Sequence, residues 1–235
     1  MAIYTSKTRI DLEDVGYSNK ITNKAILKIL ENAGARQSET IHFGLNDMEN
    51  VGFSWILLGW KVKILKRPIY NEELTINTWG RDSNRIFTYR DYEIYDKSGE
   101  LCTIATSKWA IVDINTGKLR ELTPEIIEKY QCETKKVFEE DYTLKLKEPV
   151  TIIRKQEYKA QRRDIDINKH IHNLYYLDYA YEVLPEEVYE APECNNIEIM
   201  YKKQIRLNDE FKCLYTKEEN QNIVTMKSED ENTLH

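Results

Sequence analysis

The chain has 235 residues, 41% of them hydrophobic and 11% aromatic, which is enough apolar material for one large or two small folded domains and excludes a disordered composition. Its formal net charge of −6 argues against a nucleic-acid binder acting through bulk charge. The longest apolar runs, such as Trp55-Ile56-Leu57-Leu58, fall far short of the roughly 20 residues a spanning helix needs, and no apolar leader is visible after Met1. Cys102, Cys132, Cys194 and Cys213 show no CxxC spacing, so free thiols in a reducing cytoplasm are expected, with no zinc site and no metal.

In chain order, residues 10–15 read as a short strand. A helix follows the polar stretch Ser18-Asn19-Lys20-Ile21-Thr22. Ala25, Ile26, Ile29, Leu30 and Ala33 recur at helical spacing, and Gly34 is placed to end the run. A β-rich stretch comes next. Residues 53–65 put Trp60, Val62 and Ile64 on one face, residues 74–79 do the same with Leu74, Ile76 and Thr78, and residues 85–95 alternate throughout. Lys97-Ser98-Gly99-Glu100 is a hairpin turn into a strand over 101–114, and Asn115-Thr116-Gly117-Lys118 is another turn. Thr123-Pro124 opens a short helix to Tyr130, with a capping residue and then proline at the first helical position. One long helix followed by long antiparallel strands is the hot-dog arrangement, a sheet wrapped around a single helix.

Residues 133–151 are rich in Lys and Glu without helical period. They are expected to link an N-terminal domain over 1–132 to a C-terminal one over 152–235, with an extended segment at residues 142–146. The plan then repeats. A strand is expected over 156–163, a polar turn over 166–173 and a helix over 174–184 stopped by Pro185. Strands follow over 196–207, 210–215 and 221–227, then a turn over 228–232 matching the first-half hairpin turn. By that comparison the last strand of the second repeat is incomplete in these residues. The fold class is α+β, two tandem hot-dog domains.

Asp166-Ile167-Asn168-Lys169-His170 places an acid, an amide and an imidazole at alternate positions just before a helix. If the segment is extended, all three project the same way, beside the positive end of the helix. Thioester hydrolysis needs such a set: donors for a developing oxyanion and a base or orienting group for water. The same Asp and Asn residues would serve equally as helix caps with His170 packed locally, and spacing alone leaves both open.

The pattern D-x-N-x-H-x-x-N over 166–173 resembles the catalytic segment of plant and bacterial acyl-acyl carrier protein (acyl-ACP) thioesterases. So do Trp55-Ile56-Leu57-Leu58-Gly59-Trp60-Lys61-Val62, Arg67-Pro68, Leu74-Thr75-Ile76-Asn77-Thr78-Trp79, Ala105-Thr106-Ser107-Lys108-Trp109-Ala110 and Leu122-Thr123-Pro124-Glu125, in family order along nearly the whole chain. The resemblance implies hydrolysis of fatty acyl-ACP without a cofactor, with Asp166, Asn168 and His170 as the catalytic set. Asn168 and His170 would polarise the thioester carbonyl, and Asp166 would orient His170 or assist the water. Plant members add a Glu-Cys pair after Tyr-Arg-Arg. Here Tyr201-Lys202-Lys203 is followed by Gln204 and Ile205, so no cysteine nucleophile exists at that place and Gln204 can only hydrogen-bond a water.

The first repeat has no His in the matching turn and is expected to supply the acyl pocket, with Ile26, Leu27, Leu30, Trp55 and Leu57 as candidates; ordinary core is the alternative for each. Arg162, Arg163, Lys202 and Lys203, with Arg154, Lys155 and Lys159, form a basic patch expected to steer an acidic carrier protein; a solvated charged face is the alternative. His42 and His172 read as structural. Two repeats in one chain fit a monomer or a homodimer. An acyl-CoA thioesterase and a weakly active or non-catalytic acyl-binding module are the competing functions, the latter favoured by Gln204.

Overall fold

The structure is a computed structural model that describes residues 3–81, 84–140, 145–149, 151–189 and 194–235. It divides into two compact units: Met1–Leu144 with Asn195–Met200, and Lys145–Cys194 with Tyr201–His235. The elements in chain order are β1 (Tyr4–Arg9), α1 (Asn23–Thr40), α2 (Met48–Val51), β2 (Phe53–Ile64), β3 (Glu73–Gly80), β4 (Thr88–Tyr95), β5 (Leu101–Asp113), β6 (Leu119–Arg120), α3 (Pro124–Tyr130), β7 (Arg154–Lys159), α4 (Tyr175–Glu182), α5 (Glu186–Tyr189), β8 (Asn196–Met200), β9 (Glu210–Glu218) and β10 (Gln221–Ser228).

In the N-terminal unit an antiparallel sheet, ordered β1-β3-β4-β5-β2-β8, packs its apolar face on α1. Thr22 caps the helix by accepting the Ala25 N–H at 3.1 Å. Ile26, Leu27, Leu30 and Ala33 are buried from the helix side, and Trp60, Val62, Leu74, Ile76 and Tyr92 from the sheet side. Each large apolar side chain so buried contributes about 1.5–3 kcal/mol. Polar groups buried with them are bonded. Arg90 donates to Gln37 and, at 3.2 Å, to Thr78. The Asp91 carboxylate accepts from Thr106 at 2.6 Å, and Trp109 donates to Ser107 at 2.6 Å, so the A-T-S-x-W stretch does structural duty.

The helix does not stop at Gly34 but continues to Thr40. Gly34 is needed for close packing: a Cβ there would meet the buried Tyr92 Oη at 2.9 Å and Arg90 Cδ at 3.2 Å. The expected linker also differs. The Glu133 N–H donates to Gly80 O, Trp79 Nε1 to Lys135 O and the Val137 N–H to Asp91, so its first residues pack on the N-terminal unit. Tyr142 to Leu144 of the expected extended segment lie outside the described residues. The strand expected over 196–207 ends at Met200 and pairs with β2, so it belongs to the N-terminal unit.

The C-terminal unit has a three-stranded sheet, β10-β9-β7, against the eight-residue helix α4. Ala160, Val183, Ile205, Phe211, Cys213 and Tyr215 form its core. Thr233 to His235 turn back along β10: the Lys227–Leu234 bridge and the His235 N–H to Met226 O bond begin a further pairing.

The two units repeat one local design without insertion. Strands Tyr4–Arg9 and Arg154–Lys159 correspond, as do the 3-10 turns Leu12–Asp14 and Arg162–Asp164 and the bridges Val15–Ile21 and Ile165–Ile171. The strand expected over 10–15 is in fact this turn, and the true strand precedes it; the strand expected over 156–163 begins two residues earlier, at Arg154, and ends at Lys159, where the chain enters the turn. Each turn buries one carboxylate. Asp14 accepts the Asp11 N–H at 3.1 Å and pairs with Lys28; Asp164 accepts the Gln161 N–H at 2.9 Å and the Tyr179 hydroxyl at 2.6 Å. Each buried carboxylate thus ties a strand end to the helix.

Replacing Gly34 by Val would force the helix off β4. The expected cost is about 1–3 kcal/mol of overpacking, read as a lower urea midpoint with unchanged slope. An unaltered midpoint would contradict this account of the glycine.

Candidate active site

The residues singled out by pattern come together in the turn before α4, though not as an extended segment. Lys169 sits in the left-handed region at φ 64°, which breaks the strand geometry and reverses the chain. The reversal is held by the Asp166 carboxylate. Its Oδ1 accepts the Asn168 N–H at 2.8 Å and faces the His170 N–H at 3.4 Å, while the Asp166 N–H donates to His170 O at 2.9 Å. An aspartate bonding the backbone two residues on is the ordinary chemistry of such turns. Asp166 therefore orients His170 through its main chain.

The His170 side chain is half-buried and the Asn168 side chain exposed. Burial holds the His170 pKa below the usual imidazole value, the Arg206 cation adds to the lowering, and the Asp166 and Asp209 carboxylates oppose it. The imidazole is therefore neutral at neutral pH, with one nitrogen able to accept a proton. Arg206 faces it because the two residues form an antiparallel bridge.

That bridge also brings Gln204 to the turn. Residues 201–206 have no regular secondary structure, but Ile205 is fully buried and its carbonyl accepts the Ile171 N–H at 2.8 Å. Its N–H donates to the Tyr176 hydroxyl at 3.3 Å. Gln204 is exposed beside this anchor. The same register joins Ile21 to Pro68 in the N-terminal unit, so Gln204 occupies the position of Arg67, which there donates to Ile21 O at 2.8 Å and to Asn23 at 2.6 Å.

His172 takes the place of the capping residue Thr22; its Nδ1 accepts the Leu174 N–H at 3.3 Å. His42 is exposed, 3.8 Å from Asp47. In the N-terminal copy of the turn, Gly16, Ser18 and Lys20 stand where Asp166, Asn168 and His170 stand in the second, and Asn19 supplies the left-handed residue. That copy holds no imidazole and no turn-holding carboxylate.

Ile26, Leu27, Leu30 and Leu57 are buried core, and Trp55 belongs to an aromatic cluster with Phe53 and Tyr130 at centroid distances of 6.0 and 5.6 Å. Arg162, Arg163, Lys202 and Lys203 are exposed. The wider basic patch is diluted: Lys155 pairs with Glu231 at 3.1 Å, Lys159 with Glu210 at 3.1 Å, and Arg154 donates to Leu184 O at 2.8 Å. Tyr176 and Arg206 escaped sequence reading; the internal repeat, aligned through Arg67 and Ile69, is the signal that would have found the segment they act on. Among the described residues no group of three or more His, Cys, Asp or Glu is placed to hold a metal, and no helix is long and apolar enough to cross a membrane.

Comparison with known proteins identifies the family. Residues 1–130 match the acyl-ACP thioesterase N-terminal domain, and residues 147–233 match the acyl-ACP thioesterase C-terminal domain. The chain is 25% identical over 238 residues to oleoyl-acyl carrier protein thioesterase 2 of Arabidopsis thaliana, covering 94% of this chain and 65% of that protein. It is 25% identical over 244 residues to the oleoyl-acyl carrier protein thioesterase of Coriandrum sativum, covering 95% and 65%. It thus spans just under two thirds of these relatives' length. Its fold is that of an acyl-ACP thioesterase from Bacteroides thetaiotaomicron, at a TM-score of 0.86 and 22% identity, covering 99% of this chain and 94% of that one. It is also that of the 12:0-ACP thioesterase of Umbellularia californica, at 0.83 and 18%, covering 97% and 93%. With both family domains matched in order across its two halves, the chain belongs to the acyl-ACP thioesterase family.

Proposed function

We propose that the protein hydrolyses the thioester of a fatty acyl-acyl carrier protein, releasing the free fatty acid and the carrier thiol. The observation that carries this reading is the half-buried His170 presented by the Asp166 turn, in the C-terminal unit of a chain of this family. His170 takes a proton from water as the water oxygen attacks the carbonyl carbon. The carbonyl electrons move to oxygen, where the exposed Asn168 amide donates to the oxyanion. Collapse breaks the C–S bond, and the thiolate takes its proton from the His170 imidazolium. Gln204, a donor and acceptor without a titrating proton, positions the water.

Ile205 excludes a cysteine nucleophile at its position, so the reading is of direct attack by water. Arg162, Arg163, Lys202 and Lys203 supply exposed positive charge for an acidic carrier. The free thiols of Cys102 and Cys213, both buried, fit a reducing cytoplasm. Gln204 favours one competing reading, an acyl-ACP-binding module of low turnover; the same assay separates the two.

The test is release of free thiol from acyl-ACP and from the matched acyl-CoA. Faster turnover of the carrier-bound ester is expected, and Asn168→Ala should lower kcat by about 10²–10³. Binding without thiol release would reject hydrolysis. Equal rates on the two esters would remove the carrier from the reading.

The acid limb of kcat/KM supplies a second check. The neutral form of His170 persists to lower pH than ordinary imidazole, because burial and Arg206 both disfavour the cation. The limb should therefore fall below the usual 6.5, and Arg206→Ala should move it upward. A limb at or above that value, unmoved by the substitution, would remove His170 from the base role.

A further inference from the structure

We propose that Tyr176 is a positioning residue for the hydrolytic site, fixing the Gln204 segment against the Asp166 turn through the Ile205 amide. The inference rests on the thioesterase reading and adds a residue to it.

Residues 201–206 carry Gln204 but form no strand, so their place relative to His170 depends on point attachments; Lys203 bonds the main chain of Leu234 and the His235 ring, and the Arg206 N–H donates to Asp209, but none of these reaches α4. Three lie around Ile205: its side chain is fully buried, its carbonyl accepts the Ile171 N–H at 2.8 Å, and its N–H donates to Tyr176 Oη at 3.3 Å. The first two fix the depth of the segment and its register. Only the third, among the described residues, joins the Ile205 main chain to the side chain of a helix residue. Tyr176 lies in the first turns of α4, the helix that the catalytic turn leads into. Its ring meets Tyr201 edge-on at a centroid distance of 5.5 Å, and the Tyr201 hydroxyl donates to Asn173 O at 3.2 Å. Both ends of the segment are thereby tied to the start of α4.

The phenol suits this work. Burial pushes its pKa up to about 12, and the nearby Asp166 carboxylate pushes the same way. It stays neutral, accepts the Ile205 N–H through oxygen and keeps a hydrogen to give. An apolar side chain here would leave the Ile205 amide without that acceptor in a buried place, and the segment would shift to satisfy it. A displacement of that kind moves Gln204 away from the water it holds, and orientation losses reach the chemical step more than substrate binding.

The test removes one atom. Tyr176→Phe keeps the ring and its packing on Tyr201. The expected result is a kcat lower by about tenfold, a KM within about twofold and faster hydrogen exchange at the Ile205 amide. In a Gln204→Ala background the same substitution should cost almost nothing further in kcat, because the group it positions is gone. Full additivity of the two losses, or an unchanged kcat, would overturn the proposal. So would Ile205 exchange equal to that of the unaltered protein. A parent protein with no thiol release rejects the thioesterase reading instead, and the amide exchange then decides alone whether Tyr176 holds the segment.

Discussion

The site depends on one carboxylate oxygen. Asp166 Oδ1 faces the N–H groups of Asn168 and His170 and so holds a reversal whose apex is a lysine in the left-handed region. Lysine gains nothing from that conformation by itself; a β-carbon there costs roughly a kilocalorie or more. The turn persists because the carboxylate satisfies two backbone donors at once and because the bridge Ile165–Ile171 closes its base. Remove the acceptor and the Asn168 and His170 N–H groups lose their partner, leaving the reversal to its backbone bonds and the bridge.

Beneath this turn lies a scaffold the protein uses twice. A buried carboxylate, Asp14 in one unit and Asp164 in the other, accepts the N–H at the end of its edge strand and reaches a helix side chain. The partner is a lysine in the first copy and a tyrosine in the second. A charge pair holds the first copy, while a phenol holds the second. In the first copy Lys20 takes the imidazole's place and Gly16 the turn-holding aspartate's. The proposed chemistry therefore sits on one of two equivalent turns, and what separates them is a few side chains on an unchanged backbone path.

Much of the fold was legible because it rests on local rules. The hairpin at Gly99, the turn at Gly117 and the Thr123-Pro124 helix start follow from positive φ and from capping, and the structure shows them where expected. The first edge strand, Tyr4–Arg9, was not legible, and of the second only the part from residue 156 to Lys159 was. Tyr4–Arg9 and Arg154–Lys159 are mostly polar, and each presents a single aromatic residue, Tyr4 and Tyr158, so the apolar alternation that marks a strand is weak in both. Gly34 misled because its reason is tertiary, the approach of Tyr92. The pairing of Asn196–Met200 with β2 is likewise non-local, and alternation in sequence does not name a partner strand. Of the site, the residue types were readable and their mutual geometry was not. Alternate spacing suggested an extended segment, whereas the three residues are brought together by a reversal, and the influence of Arg206 on His170 exists only through a cross-chain bridge.

The central claim is that hydrolysis is carried by the second copy of the turn and not the first. Steady-state thiol release from acyl-ACP by His170→Ala and by Lys20→Ala, the equivalent positions of the two copies, tests it most directly. The account predicts a loss in kcat of about 10²–10⁴ for His170→Ala and a rate unchanged from the parent for Lys20→Ala. Turnover that survives loss of His170, or that falls as far with loss of Lys20, would contradict it.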